Sequence, residues 1–118
     1  MKTRLLFACV CVIALAGCSF ENKYESEADR ITRAVMADDI TPVKADLAPG
    51  LNISRVQLAA ASDELDAQGK LLSVKEITPC DRVGYHCFDV KFEKHDYREW
   101  LAMDDTGKVT VWHFHMAQ

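Results

Sequence analysis

"HCFDVKFEKHDYREWLAMDDTGKVTVWHFHM", residues 86–116, decides the fold. Phe88, Val90 and Phe92 alternate with Asp89, Lys91 and Glu93, the period-two pattern of a strand with one face in a core and one in water. Lys94-His95-Asp96 is a short connection, and "YREWLAM" (97–103) is the next strand. Asp104-Asp105-Thr106-Gly107 reads as a hairpin turn, with Gly107 suited to the left-handed position. "KVTVWHFHM" (108–116) is apolar on both faces, which predicts a central or doubly covered strand. Upstream, "LLSVKEI" (71–77) predicts a first strand with Leu72, Val74 and Ile77 inward. The chain therefore closes with an antiparallel meander of about four strands.

Before Gly69 the period is helical. Ser26 and Asp29 signal a helix start, and Ala28, Ile31 and Val35 share one face. Thr41-Pro42 starts a short helix with Val43 and Leu47 on its apolar side, and Pro49-Gly50 stops it. Ser54 and Gln57 have capping-box spacing ahead of a third helix. Its expected apolar face is Val56, Leu58, Ala60, Ala61 and Leu65, and Gly69 sits where it ends. Helices followed by a meander predict an α+β fold, with N-terminal helices packed on a curved antiparallel sheet.

The other end of the chain speaks of compartment. Lys2 and Arg4 precede the apolar run Leu5–Ala16, the layout of an export signal. That run is too short for a spanning helix of about 20 residues. Leu15-Ala16-Gly17-Cys18 resembles the lipobox of bacterial lipoproteins. The resemblance implies cleavage before Cys18 and lipidation of its thiol and new amine, including a palmitate-type acyl chain. Acyl burial contributes about 0.8 kcal/mol per CH₂, so several chains make a lasting anchor. Ser19, where the family's inner-membrane retention rule wants Asp, implies the periplasmic face of the outer membrane. The plainer alternative is an ordinary secretory signal cut nearby. The expected layout is a signal peptide over 1–17, a lipidated tether over 18–25 and a single α+β domain over 26–118.

The chain carries a formal charge of −4, and losing Lys2 and Arg4 would take it to −6. That balance argues against nucleic acid and against electrostatic binding to anionic lipid, so membrane attachment rests on the lipid. Cys9 and Cys11 leave with the signal and Cys18 carries lipid. Cys80 and Cys87 then remain as a pair bracketing "DRVGYH", and a disulfide across a turn is expected in an oxidising compartment.

The element order over residues 26–116 resembles small bacterial members of the nuclear transport factor 2-like superfamily, which have a cystatin-like cone. The resemblance rests on "VMADDITPVKADLAP", "AQGKLLSVKEI" and the closing meander with its acidic-Gly turn. It implies a curved sheet wrapped around helices and a pocket. Members include isomerases, dehydratases, ligand carriers and domains of no known activity, so it does not choose a function. Isomerase members use an Asp base with a Tyr and a protonated Asp. Asp89, Asp96, Tyr85 and Tyr97 do not map onto those positions, and no catalytic residue is carried over.

His113 and His115 share a strand face at a spacing that suits a metal, with His95, Asp96 or Glu99 as further ligands. The plainer reading is two histidines at a fraying strand end, and no cofactor is expected. Trp100, Trp112, Tyr97 and Phe114 are candidates to line a ligand pocket, although such aromatics commonly just fill a core. No phosphate loop, nucleophile elbow or free cysteine is present. The expected function is a non-enzymatic, lipid-anchored domain that binds a protein partner or a small apolar ligand, with a homodimer through the sheet as a further option. The alternatives are a pocket enzyme of isomerase or dehydratase type and a small envelope-assembly or inhibitor lipoprotein.

Overall fold

The computed structural model describes residues 22–117. The signal, the lipobox and Cys18 lie outside the described residues. Helix α1 (Lys23–Met36) is followed by a 3-10 helix (Thr41–Asp46) and helix α2 (Arg55–Asp66). Strands β1 (Leu71–Ile77), β2 (His86–Phe92), β3 (Asp96–Met103) and β4 (Val109–Met116) then form one sheet in the order β1-β2-β3-β4, all antiparallel. The fold is α+β, with helices on an open four-stranded meander. Among the described residues no helix is long and apolar enough to cross a membrane.

Local chemistry explains the boundaries. Helix α1 begins earlier than the Ser26 signal, because Asn22 caps it by accepting from the Glu25 N–H at 2.8 Å. Residues 22–25 are tied down as well. Asn22 donates to Glu76 at 2.9 Å, Glu25 accepts from the Glu76 N–H at 2.9 Å, and the Tyr24 ring stacks on His86 at 3.7 Å. The expected apolar row of α1, Ala28, Ile31 and Val35, is buried. Arg30 bonds the Pro42 carbonyl and Asp46, fastening the 3-10 helix to α1. The capping box of α2 has both halves, Ser54 Oγ accepting at 3.1 Å and Gln57 Oε1 accepting at 3.0 Å. Gly69 has φ +87°, and a Cβ there would sit 2.5 Å from Glu93 Oε1, which accepts from the Lys70 N–H.

The inner sheet face follows the register Val74–Val90–Tyr97 and Glu76–Phe88–Glu99–Phe114. Packed under the helices, Val74, Phe88, Val90, Phe92, Tyr97 and Leu101 join Ile31, Val35, Val43, Leu58 and Leu65 in one core.

Four expectations are corrected. Ile77 stands opposite Cys87 on the outer face, out of step with Val74 and Glu76. Leu72 is 60% exposed, because a bulge between Leu71 and Ser73 shifts the register and turns Leu71, not Leu72, toward the core. Val56 is 79% exposed and Ala60 is exposed too, because the buried row of α2 is Leu58, Ser62 and Leu65. Strand β4 lies at the sheet edge rather than in its centre, and beyond it the Leu47–Val109 bridge is completed by the Ala48 N–H donating to Val109 at 2.8 Å.

Cys80 and Cys87 form a disulfide that closes the β1–β2 connection, which also contains a cis Thr78–Pro79 bond. With a sequence separation of 7, the chain-entropy argument gives about 2.5 kcal/mol for this loop. Cys80→Ser/Cys87→Ser is expected to lower the unfolding free energy by that amount in urea titration, and an unchanged midpoint would show that the loop is fixed without it.

Candidate functional site

Alternation along β3 and β4 sends neighbouring side chains to opposite faces, so the candidate residues separate. Trp112 and Phe114 are on the inner face, where they line a cleft of about 270 Å³ with Val35, Leu51, Ile53 and Leu58. Ala61, Asn52, Gln57 and His113 complete its rim. The cleft lies between α2, the segment after Pro49 and the edge strand. Its apolar wall with a few polar groups is the usual make-up of a small-molecule site, at the small end of the size range. Tyr97 is fully buried in the core instead, its ring against Phe92 and Phe114 and its hydroxyl donating to Glu64 at 2.8 Å. Trp100 is on the outer face, covered by Arg82 and His115.

His113 and His115 share the outer face, opposite Trp100 and Arg98, and His95 lies apart from them. His95 Nδ1 is 2.6 Å from Gln68 Oε1 at the end of α2, whereas His115 packs on Trp100. Among the described residues, the one close group of three metal-ligating types is Cys80, Asp81 and Cys87. The disulfide takes both thiolates out of ligand chemistry. Asp89 lies on the outer face in an ion pair with Lys91.

A buried carboxyl emerges beside the cleft. Glu99 stands on the inner face between Phe88 and Phe114 and is 1% exposed. Its Oε1 accepts from Trp112 Nε1 at 3.1 Å, and its Oε2 lies 2.6 Å from Thr32 Oγ1. Burial pushes it up to about 7, with the nearby Asp29 charge adding and the Thr32 and Trp112 bonds opposing. Thr32 Oγ1 is also 2.8 Å from the Ala28 carbonyl, an acceptor only. A hydroxyl has one proton. Both contacts are satisfied together when Glu99 is protonated and donates to Thr32, which donates to Ala28. Trp112 thus belongs to both the cleft and the carboxyl network.

Sequence reasoning weighed Glu99 as a spare metal ligand only. The signal was present: in "YREWLAM" Glu99 shares strand parity with Tyr97 and Leu101, which makes it an acid in an apolar row. Neither a family model, nor a curated protein, nor a solved structure matches this chain.

Proposed function

We propose that the chain is a non-enzymatic, lipid-anchored periplasmic domain of the outer membrane that binds a small apolar molecule in the cleft of Trp112 and Phe114. The cleft carries the reading: an apolar hollow of about 270 Å³ flanked by Asn52, Gln57 and His113. The lipobox resemblance at Cys18 supports the anchor, and the Cys80–Cys87 disulfide agrees with an oxidising compartment. An α+β arrangement of helices on an open sheet is in keeping with the nuclear transport factor 2-like resemblance, whose members include ligand carriers.

The test is native mass spectrometry of the protein extracted from membranes, together with fluorescence titration using an anilinonaphthalene sulfonate probe. The expected result is an acylated chain that starts at Cys18, retains an apolar molecule and binds the probe. Ala61→Phe, which fills the cleft, should weaken probe binding by roughly tenfold. Equal binding by the wild type and Ala61→Phe would remove the cleft from the proposal. A chain that keeps residues 1–17 would remove the anchor.

One observation favours a second reading, an isomerase-type pocket enzyme: Glu99 is a buried carboxyl held up to about 7, the property of a general acid or base. Binding ranks first because Glu99 is 1% exposed and does not line the cleft. Turnover abolished by Glu99→Gln would reverse that order.

A further inference from the structure

We propose that the outer face of the sheet carries an anion site in which Arg98 anchors the carboxylate of a small organic acid. A hollow of about 280 Å³ opens there, lined by Asp81, Arg98, Trp100, His115 and Ala117. It lies on the opposite sheet face from the apolar cleft and is independent of it, since Arg98 and Trp100 pair with β4 at His115 and His113 while Trp112 and Phe114 point inward.

Arg98 is the odd group. It is half-buried, and its Nε is shut away from solvent with no hydrogen-bond partner. A buried donor left without an acceptor is costly, and an arginine cannot escape by losing its charge. The obvious partner is engaged elsewhere: Asp89, opposite Arg98 on β2, pairs with Lys91 at 3.5 Å. Among the described residues, no carboxylate lies within ion-pair distance of the Arg98 guanidinium. Nε itself is closed to solvent, so an incoming carboxylate meets the guanidinium from the hollow that Arg98 lines.

The surroundings favour an anion. Arg82 places a second guanidinium over the Trp100 ring, 4.3 Å from its centroid. Trp100 Nε1 donates to Asp81 Oδ1 at 3.2 Å, which fixes the indole and occupies that oxygen. His115 closes the other side with its ring 4.7 Å from Trp100. Its Nδ1 is 2.9 Å from the Met116 carbonyl and donates there, so in the neutral ring Nε2 is an acceptor and His115 serves as a wall of the hollow, not as a donor to the anion. Asp81 and Arg82 are held in place by the Cys80–Cys87 disulfide that flanks them.

The same groups choose the anion. A guanidinium fork matches the two coplanar oxygens of a carboxylate. Asp81 in the wall adds a negative charge that a phosphate dianion meets more unfavourably than a monoanion does. The volume suits a compact acid rather than a polymer.

The test is an NMR titration of the oxidised, ¹⁵N-labelled protein with sodium acetate, sodium phosphate and sodium chloride at equal ionic strength. The expected result is a saturable shift of the Arg98 Nε–H and Trp100 Nε1–H resonances with acetate, a weaker response to phosphate and none to chloride. Arg98→Lys keeps the charge but loses the fork, and should weaken the acetate response at Trp100 by roughly tenfold. Arg98→Gln should abolish it. A drift that chloride reproduces, or a Trp100 response that survives both substitutions, overturns the site. A stronger response to phosphate than to acetate overturns the carboxylate assignment.

Discussion

Above about pH 8, Glu99→Gln is expected to be more stable than the wild type by about 3 kcal/mol. Glu99 is fully buried and titrates at about 7 in the folded protein, against an ordinary value of 4.5. Its folded value is raised, so the folded state holds the proton more tightly than the unfolded chain does. The stabilisation is fully present below about pH 4.5 and is lost as pH rises through about 7. Above that, the wild type must keep a carboxylate among Phe88, Phe114 and Trp112. Glutamine copies the protonated acid: its NH₂ donates to Thr32 Oγ1 and its oxygen accepts from Trp112.

Glu27 is also raised to about 7, by burial first and then by the Asp46 carboxylate, and it slopes both proteins in the same direction. The difference between the two proteins isolates Glu99. Urea unfolding at a series of pH values should show near-equal stability at the acid end and a widening gap toward pH 8. Parallel curves would mean that Glu99 is ionised in the folded state and that the proton on Thr32 points to it.

What could be read in advance follows from how local each signal is. The alternation of β2, the capping box at Ser54 and Gln57, and the turn at Asp104 need only a few neighbouring residues. In that turn Gly107 has φ +84°, and Asp104 Oδ1 accepts from Thr106 and Lys108. Those bonds, the Thr106 hydroxyl first, hold Asp104 below its ordinary value. The misses depend on partners far along the chain. The bulge that exchanges Leu71 for Leu72 is a property of the pairing with β2. Asn22 caps α1 locally, but its amide also donates to Glu76, a contact that no nearby residue signals. Strand β4 is an edge whose inner Trp112 and Phe114 line the cleft, while its outer face carries the exposed His113 and His115, the latter against Trp100. Trp100, expected beside the pocket aromatics, is instead 4% exposed on the outer face, where Arg82 of the disulfide-closed loop lies over its ring. Arg98 escaped notice for a related reason: that no carboxylate pairs with it shows only once Asp89 is seen beside Lys91.

Tyr97→Ala is expected to lose about 3–5 kcal/mol of stability, and Tyr97→Phe only about 1 kcal/mol. Tyr97 is fully buried, edge-on to Phe92 at 5.4 Å and tilted against Phe114 at 5.9 Å, so truncation empties the junction of β2, β3 and β4. Its hydroxyl reaches Glu64 of α2 at 2.8 Å, and burial, then that bond and the carboxylate charge, push the phenol up to about 12. The phenylalanine variant leaves a mostly exposed Glu64 carboxylate to water, which limits the cost. The two variants therefore separate packing from the polar tip. They also bear on the cleft, because Leu58 and Ala61 of α2 and Phe114 of β4 form opposite walls of it. Tyr97→Phe should keep probe binding in the cleft. Tyr97→Ala should lose it even under conditions where the protein stays folded, since Phe114 loses the ring it leans on. If Tyr97→Ala folds and binds the probe as the wild type does, the cleft is held by α2 and the segment after Pro49 alone, and the aromatic junction serves stability without shaping the site.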